Sequence, residues 1–200
     1  CFMFAQKFHP AMRYVSTARK QLASRTAFNL LGPLSNPANV KNQLIGVFSI
    51  EYLDRLPALL KRKGAENIMT VRSDDGMDEF STSSTNRVCI LRGNKVLMNA
   101  IDPEVVGLHK SSLKDIQIKT KQDAIESFVG VLNNTASQAM IETTALNAAG
   151  GLIVANIADN FEQGVEIALN TIKDGKAISL LEKFVSETGD IEKLKEITNG

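Results

Sequence analysis

QLIGVFSIEYLDRLPALLKRKGAENIMTV, residues Gln43–Val71, is the stretch whose reading decides the fold. Leu44 to Phe48 is short and almost wholly apolar, the pattern of a buried strand. Glu51 to Lys63 reads as a helix, and Gly64 ends it. Asn67 to Val71 is the next strand. A strand, a helix and a strand in succession imply a parallel pair joined by a right-handed crossover. Sheets of this kind bind ligands beyond the carboxyl ends of their strands.

The residues just past the second strand are acidic. Asp74-Asp75-Gly76-Met77-Asp78-Glu79 carries four carboxylates, which repel one another unless a cation or basic groups neutralise them. Hard oxygen ligands suit Mg2+, which keeps waters and bridges to substrate phosphates. The same residues also fit a solvated acidic turn. The spacing is not that of an EF-hand. Further on, Arg87–Leu91 and Lys95–Asn99 read as a hairpin around Gly93-Asn94, ended by Asp102-Pro103. Residues 107–110 read as an irregular connection, with no role for His109. Helices are expected over Asp123–Leu132, Ser137–Asn147 and beyond, Phe161–Lys173, Ala177–Ser186 and Asp190–Ile197, with Asp159 and Asp190 as N-caps. Ala145, Ala148, Ala149, Gly150 and Gly151 would let one of these helices approach its neighbours closely.

Upstream lies FHPAMRYVSTARKQLASRTAFNLLGPLSNPA, Phe8–Ala38. Pro10 is a natural first helical residue, and a helix is expected from Ala11 to Leu22. A second helical piece, Thr26–Leu31, should stop at a Gly32-Pro33 turn, with Asn36-Pro37 completing a rigid connector. Arg13, Arg19 and Arg25 recur every six residues. Arg13 and Arg19 therefore point roughly 120° apart around a helix and cannot share one face fully. A guanidinium fork matches a carboxylate or phosphate, so the stretch suits a small anion, although an arginine taken alone is more often a surface ion-pair former. His9 fits either a packing role or the wall of a pocket.

The 200 residues, 44% of them apolar, suffice for a sizeable core. A net charge of +1 argues against a general nucleic-acid binder. Two cysteines, Cys1 and Cys89, form no disulfide framework and fit a reducing cytoplasm. No apolar run reaches the roughly 18 residues that suggest a membrane span.

The stretch FHPAMR…ARKQL…RTAFNLLGPLSNPA resembles the central signature of the anthranilate phosphoribosyltransferases, a branch of the nucleoside-phosphorylase-like phosphoribosyltransferases. The likeness continues through DDGMDEFS (Asp74–Ser81), LNAAGGL (Leu146–Leu152) and GVEIALNTIKDGKA (Gly164–Ala177), and so spans nearly the whole chain. It implies an α/β fold with a mixed, mostly parallel sheet flanked by helices. Residues 1–38 would be a hinge and helical-domain segment, and 39–200 the α/β domain. The implied activity moves phosphoribose from phosphoribosyl diphosphate to the amine of anthranilate, without a covalent nucleophile. By the same resemblance Arg19 holds the anthranilate carboxylate, while His9, Met12, Gly32 and Pro33 line its slot. Asp78 and Glu79 bind Mg2+, and Asp74 and Asp75 are helper charges. The chain departs from the family at Gln6, where a Pro is common, and at Ala23, where a Gly is common.

Family members carry upstream a helical region, a Gly-rich loop for the diphosphate and a Lys-His-Gly-Asn segment. None occurs in these residues, which open without Met, so the expectation is a C-terminal portion that is inactive alone. The complete protein would be a cytoplasmic homodimer acting on its two small substrates, with no membrane or nucleic-acid partner. Two other readings share the scaffold: a pyrimidine-nucleoside phosphorylase relative, and a non-catalytic relative that binds single-stranded nucleic acid.

Overall fold

The computed structural model describes residues 3–22, 24 and 28–198. They fall into two compact units, Cys1–Val40 and Lys41–Gly200.

The first unit is helical. It contains α1 (Ala5–Phe8), a 3-10 turn over Pro10–Met12, α2 (Arg13–Leu22) and α3 (Phe28–Leu34). His9 has φ −125° and ψ 64°, outside the helical region, and Pro10 opens the turn as expected. The expected stop at Gly32-Pro33 is corrected: α3 runs through both residues and ends at Leu34. A proline this close to a helix end removes only one ladder bond. Gly32 has no Cβ to clash with the proline ring, so it keeps a helical backbone. Ser35 then closes the helix, its backbone N–H 2.9 Å and its Oγ 2.7 Å from the Leu31 carbonyl. None of the described residues in this unit is buried.

The second unit holds the core. Its strands are β1 (Asn42–Gly46), β2 (Asn67–Ser73), β3 (Asn86–Arg92) and β4 (Lys95–Ile101), in the spatial order β1-β2-β3-β4. Helix α4 (Tyr52–Arg62) links β1 to β2, which are parallel as expected. The other two pairings are antiparallel. The α/β class and the mixed sheet hold, but among the described strands the sheet is not mostly parallel. The loop 74–85 carries no helix, and without a crossover the chain can only return antiparallel.

Five helices complete the unit: α5 (Lys121–Leu132), α6 (Gln138–Val154), α7 (Phe161–Lys173), α8 (Lys176–Thr188) and α9 (Ile191–Thr198). Their starts are written in local side chains. Thr120 accepts from the Asp123 N–H in a reciprocal capping box. Ser137 and Asn160 cap α6 and α7. The expected cap Asp159 is corrected to Asn160, because Asp159 instead donates its N–H to Gln163 Oε1 at 2.7 Å. Asp190 accepts from the Glu192 N–H, as expected.

The core lies between the sheet and the α6–α7 pair. Met69, Val71 and Val88 of the sheet meet Leu146, Ala149 and Val165 of the helices. Phe80, just beyond the acidic residues, is fully buried among them and packs edge-on against Phe161 at 5.3 Å. On the other face, Leu53, Leu56 and Leu60 of α4 cover β2 and β3. β2 is buried almost throughout, whereas β4 is exposed along nearly its whole length. The carboxyl end of β2 is thus anchored in the core, and there the acidic loop begins.

Candidate functional site

The acidic loop leaves β2 at Ser73, and its four carboxylates divide into two pairs. Asp74 is taken by Arg87 of β3, whose Nε and Nη2 donate to its two oxygens at 3.0 and 3.1 Å. Asp75 is folded inward. Its Oδ1 accepts the Met77 N–H at 3.0 Å, its Oδ2 accepts a short bond from Ser83 Oγ, and its own N–H donates to Ser84 Oγ at 3.0 Å. Burial pushes the Asp75 carboxyl up, but bonds from Ser81, Ser83, the Met77 backbone and Ser73 together hold it below the usual carboxylate range. Asp78 and Glu79 are exposed and have no hydrogen-bond or ion-pair partner among the described residues.

Three tertiary contacts hold that free pair in place. Gly46, the last residue of β1, lies against the Asp78 backbone so closely that a Cβ there would fall 1.5 Å from the Asp78 carbonyl oxygen. Asn147 of α6 grips the peptide of Phe80, accepting its N–H at 3.0 Å and donating to its carbonyl at 2.7 Å. Gly150, one helical turn on, leaves room for the Phe80 ring, which a Cβ would approach to 2.7 Å. The loop beyond is equally tied. Asn86 accepts from Ser81 N–H at 2.7 Å and donates to the carbonyls of Ser81 and Ile101 at 2.9 and 3.2 Å, while Thr82 Oγ1 lies 2.6 Å from Thr143 Oγ1. An apolar recess of about 290 Å3 opens beside Glu79, lined by Met77, Ile116, Ile118, Phe128 and Met140.

No three His, Cys, Asp or Glu side chains among the described residues form a group able to hold a metal ion by themselves. Two exposed carboxylates on a fixed loop nevertheless fit a hard divalent cation that draws its remaining ligands from water and a phosphorylated ligand. Arg87 and the Asp75 network leave Asp78 and Glu79 free for that role. Cys89 is no candidate, being fully buried with its thiol pushed up by burial and by Asp54.

The residues expected to hold an organic substrate all lie in the first unit. His9 precedes the Pro10–Met12 turn and Met12 ends it, and both are half-buried. Gly32 is exposed and Pro33 half-buried, both within α3. Arg19 is carried by α2, and its side chain lies outside those described; Ala23 and Arg25 lie outside the described residues altogether. Arg13 is occupied by its neighbour: its Nη2 donates to the Tyr14 hydroxyl at 2.6 Å, with its guanidinium 4.7 Å from that ring's centre.

Gly46 and Asn147 escaped the sequence reading as site residues. Their roles depend on contacts with a loop far along the chain, for which no local pattern exists. His109, for which the sequence suggests no role, places its imidazole Nδ1 2.8 Å from Oε1 of Glu142, a carboxylate buried in α6 that also accepts the His109 N–H at 2.8 Å. This pair fastens the 107–120 connection to α6.

Among the described residues no helix is long and apolar enough to cross a membrane. The model of the glycosyl transferase family, a/b domain, matches residues 1–178. A curated relative from Nitrosopumilus maritimus (strain SCM1), named anthranilate phosphoribosyltransferase, is 86% identical over 200 residues, covering all of this chain and 58% of the relative. The crystal structure of anthranilate phosphoribosyltransferase (TrpD) from Thermus thermophilus superposes with a TM-score of 0.83 at 34% identity, over 92% of this chain and 54% of that one. The Saccharomyces cerevisiae anthranilate phosphoribosyltransferase in complex with PRPP and Mg superposes with a TM-score of 0.74 at 26% identity, over 89% of this chain and 51% of that one. The chain thus spans a little over half the length of these relatives. With the family model covering most of its residues, the chain belongs to the glycosyl transferase family, a/b domain.

Proposed function

We propose that this chain forms the C-terminal part of an anthranilate phosphoribosyltransferase, transferring phosphoribose from phosphoribosyl diphosphate to the amine of anthranilate in tryptophan biosynthesis. The observation that carries the reading is the division of the acidic loop, in which Asp78 and Glu79 alone stay exposed and unpaired on a backbone pinned by Gly46 and Asn147. Asp78 and Glu79 would hold Mg2+, which when bound would offset the charge of a diphosphate. The bond from the ribose carbon to the diphosphate oxygen breaks, a bond to the anthranilate nitrogen forms, and the amine gives up a proton. No side chain here acts as a covalent nucleophile. The chain's own contribution is to position the two reactants and to present fixed charge.

Arg19 pairs its planar fork with the anthranilate carboxylate, and His9, Met12, Gly32 and Pro33 line the slot for the ring. Imidazole and thioether both pack well on an aromatic face. The whole protein works as a homodimer in the cytoplasm, without nucleic-acid or membrane partners. The test uses the full-length protein with Asp78→Asn and Glu79→Gln together. The amides keep the shape and lose the charge, so the Mg2+ concentration needed for half-maximal turnover of phosphoribosyl diphosphate should rise sharply. An unchanged Mg2+ titration would return the loop to a solvated acidic turn.

A further inference from the structure

Strand β4 is an open edge that nothing blunts among the described residues. Its register with β3 runs one-to-one from Arg92↔Lys95 to Asn86↔Ile101, with no bulge to twist the edge away. Between Lys95 and Asp102 it reads Val-Leu-Met-Asn-Ala-Ile, without a charge or a proline, and Val96, Leu97 and Met98 are each more than half exposed. Folded proteins normally protect such edges with charges, prolines or bulges, because unpaired N–H and C=O groups recruit another strand.

The charges at its two ends are complementary. Lys95 has no partner among the described residues. It shares a face with Leu97, Asn99 and Ile101. Along that face runs a groove of about 380 Å3; at the end near Lys95 it is lined by Arg92, whose Nη2 donates to the Ile153 carbonyl at 3.2 Å, and at the far end by Ile101, Asp102, Asp159 and Glu162. No cation pairs with those three acids among the described residues. The edge thus has, among the described residues, a cation without an ion-pair partner at one end and carboxylates without a cation at the other, although Asp102 Oδ1 accepts the Glu104 N–H at 3.0 Å.

We infer that β4 pairs antiparallel with β4 of a second copy of this chain, with Met98 opposite Met98 on a two-fold axis. The hydrogen-bond pattern selects this kind of register. The two-residue turn Gly93-Asn94 makes Arg92 and Lys95 a hydrogen-bonded pair, so residues 95, 97, 99 and 101 bond to β3. Val96, Met98 and Ala100 then direct their N–H and C=O groups to the open edge. Pairing Met98 with its mate places Val96 opposite Ala100, and Lys95 opposite Ile101 beside the acidic end of the partner's groove, twice by symmetry. An edge contact of this size belongs among weak, reversible associations. It is separate from any association through residues 1–40.

Sedimentation velocity over a concentration series tests this with the full chain. The expected result is a reversible dimer whose dissociation constant rises at least tenfold in Lys95→Glu. Met98→Pro should abolish it, because that N–H faces away from β3 and its loss breaks no bond within the sheet. Register is read by cross-linking in a Cys1→Ser background. Met98→Cys should oxidise to a covalent dimer, whereas Val96→Cys lies about 13 Å from its own mate along the strands and should not. A chain that stays monomeric, a dimer indifferent to Lys95→Glu, or Val96→Cys cross-linking as readily as Met98→Cys would each overturn the proposal.

Discussion

Gly46→Ala isolates the contact that seats the acidic loop. The new methyl would lie 1.5 Å from the Asp78 carbonyl oxygen and 2.6 Å from its carbonyl carbon. Carbon and carbonyl oxygen rest at about 3.3 Å or more, so one backbone must retreat by about 1.8 Å. No side-chain rotation relieves the clash, because both partners are main chain. Gly46 sits in register with Val71 of β2, so β1 cannot yield without breaking the parallel pair. The loop must lift instead, against the Asn147 grip on Phe80. Overpacking of this kind costs about 1–3 kcal/mol. Displacing catalytic groups by about 1 Å costs on the order of a hundredfold in rate. Urea unfolding and an Mg2+ titration of turnover, both on the full-length protein, read the two effects. Gly151→Ala is the control: the same methyl on α6 meets nothing within 4 Å and should be neutral or stabilise by up to ~1 kcal/mol. If Gly46→Ala matches Gly151→Ala in stability and keeps the wild-type Mg2+ requirement, the loop is not seated by this contact.

Asn147→Ala should cost about 1–3 kcal/mol in unfolding free energy, since it strands the N–H and carbonyl of Phe80, and should raise the Mg2+ requirement while leaving the anthranilate KM unchanged. Asp75→Asn should flatten the acid limb of the stability profile. The folded-state carboxyl titrates below its ordinary value, so its contribution is present at neutral pH and is lost as pH falls through the folded-state value, which unfolding midpoints across the acid range would follow. Arg19→Ala in the full-length protein should weaken anthranilate binding by about 1.5–3 kcal/mol and leave phosphoribosyl diphosphate binding nearly unchanged, with Arg19→Lys restoring only part. Arg13→Ala is the comparison, because that guanidinium is engaged with Tyr14, and an equal rise in anthranilate KM would mean the carboxylate sits on the wrong arginine.

The elements of the second unit were legible because their signals are local. The period change across Gln43–Val71 marks β1, α4 and β2 wherever the rest of the chain goes, and Phe161–Lys173 reads as a helix from its own apolar spacing. The misreadings have local causes too. Pro33 is a helix breaker in the middle of a helix but not beside its end, and Gly32 removed the steric penalty that normally precedes a proline. Asp159 and Asn160 are both competent caps, and only the position of Gln163, which bonds back to the Asp159 N–H, decides between them.

The site was legible in part, and the missing part is tertiary. Counting charges cannot separate Asp74 and Asp75 from Asp78 and Glu79, since all four belong to one acidic run. The division comes from Arg87, which the β2–β3 register sets opposite Arg72, one residue from Ser73, so that its fork reaches back to Asp74. It comes also from Ser83 and Ser84, which the loop's return brings onto Asp75. Once those two carboxylates are consumed, the remaining pair is defined by subtraction. Its placement then depends on Gly46 from β1 and on Asn147, 67 residues beyond Phe80, on α6. A strand end, a neighbouring strand and a distant helix thus converge on one short loop. Two solvent-exposed, unpaired carboxylates therefore rest on backbone held by Gly46 and Asn147, an arrangement that suits a cation site, which needs to be charged, accessible and preorganised at once.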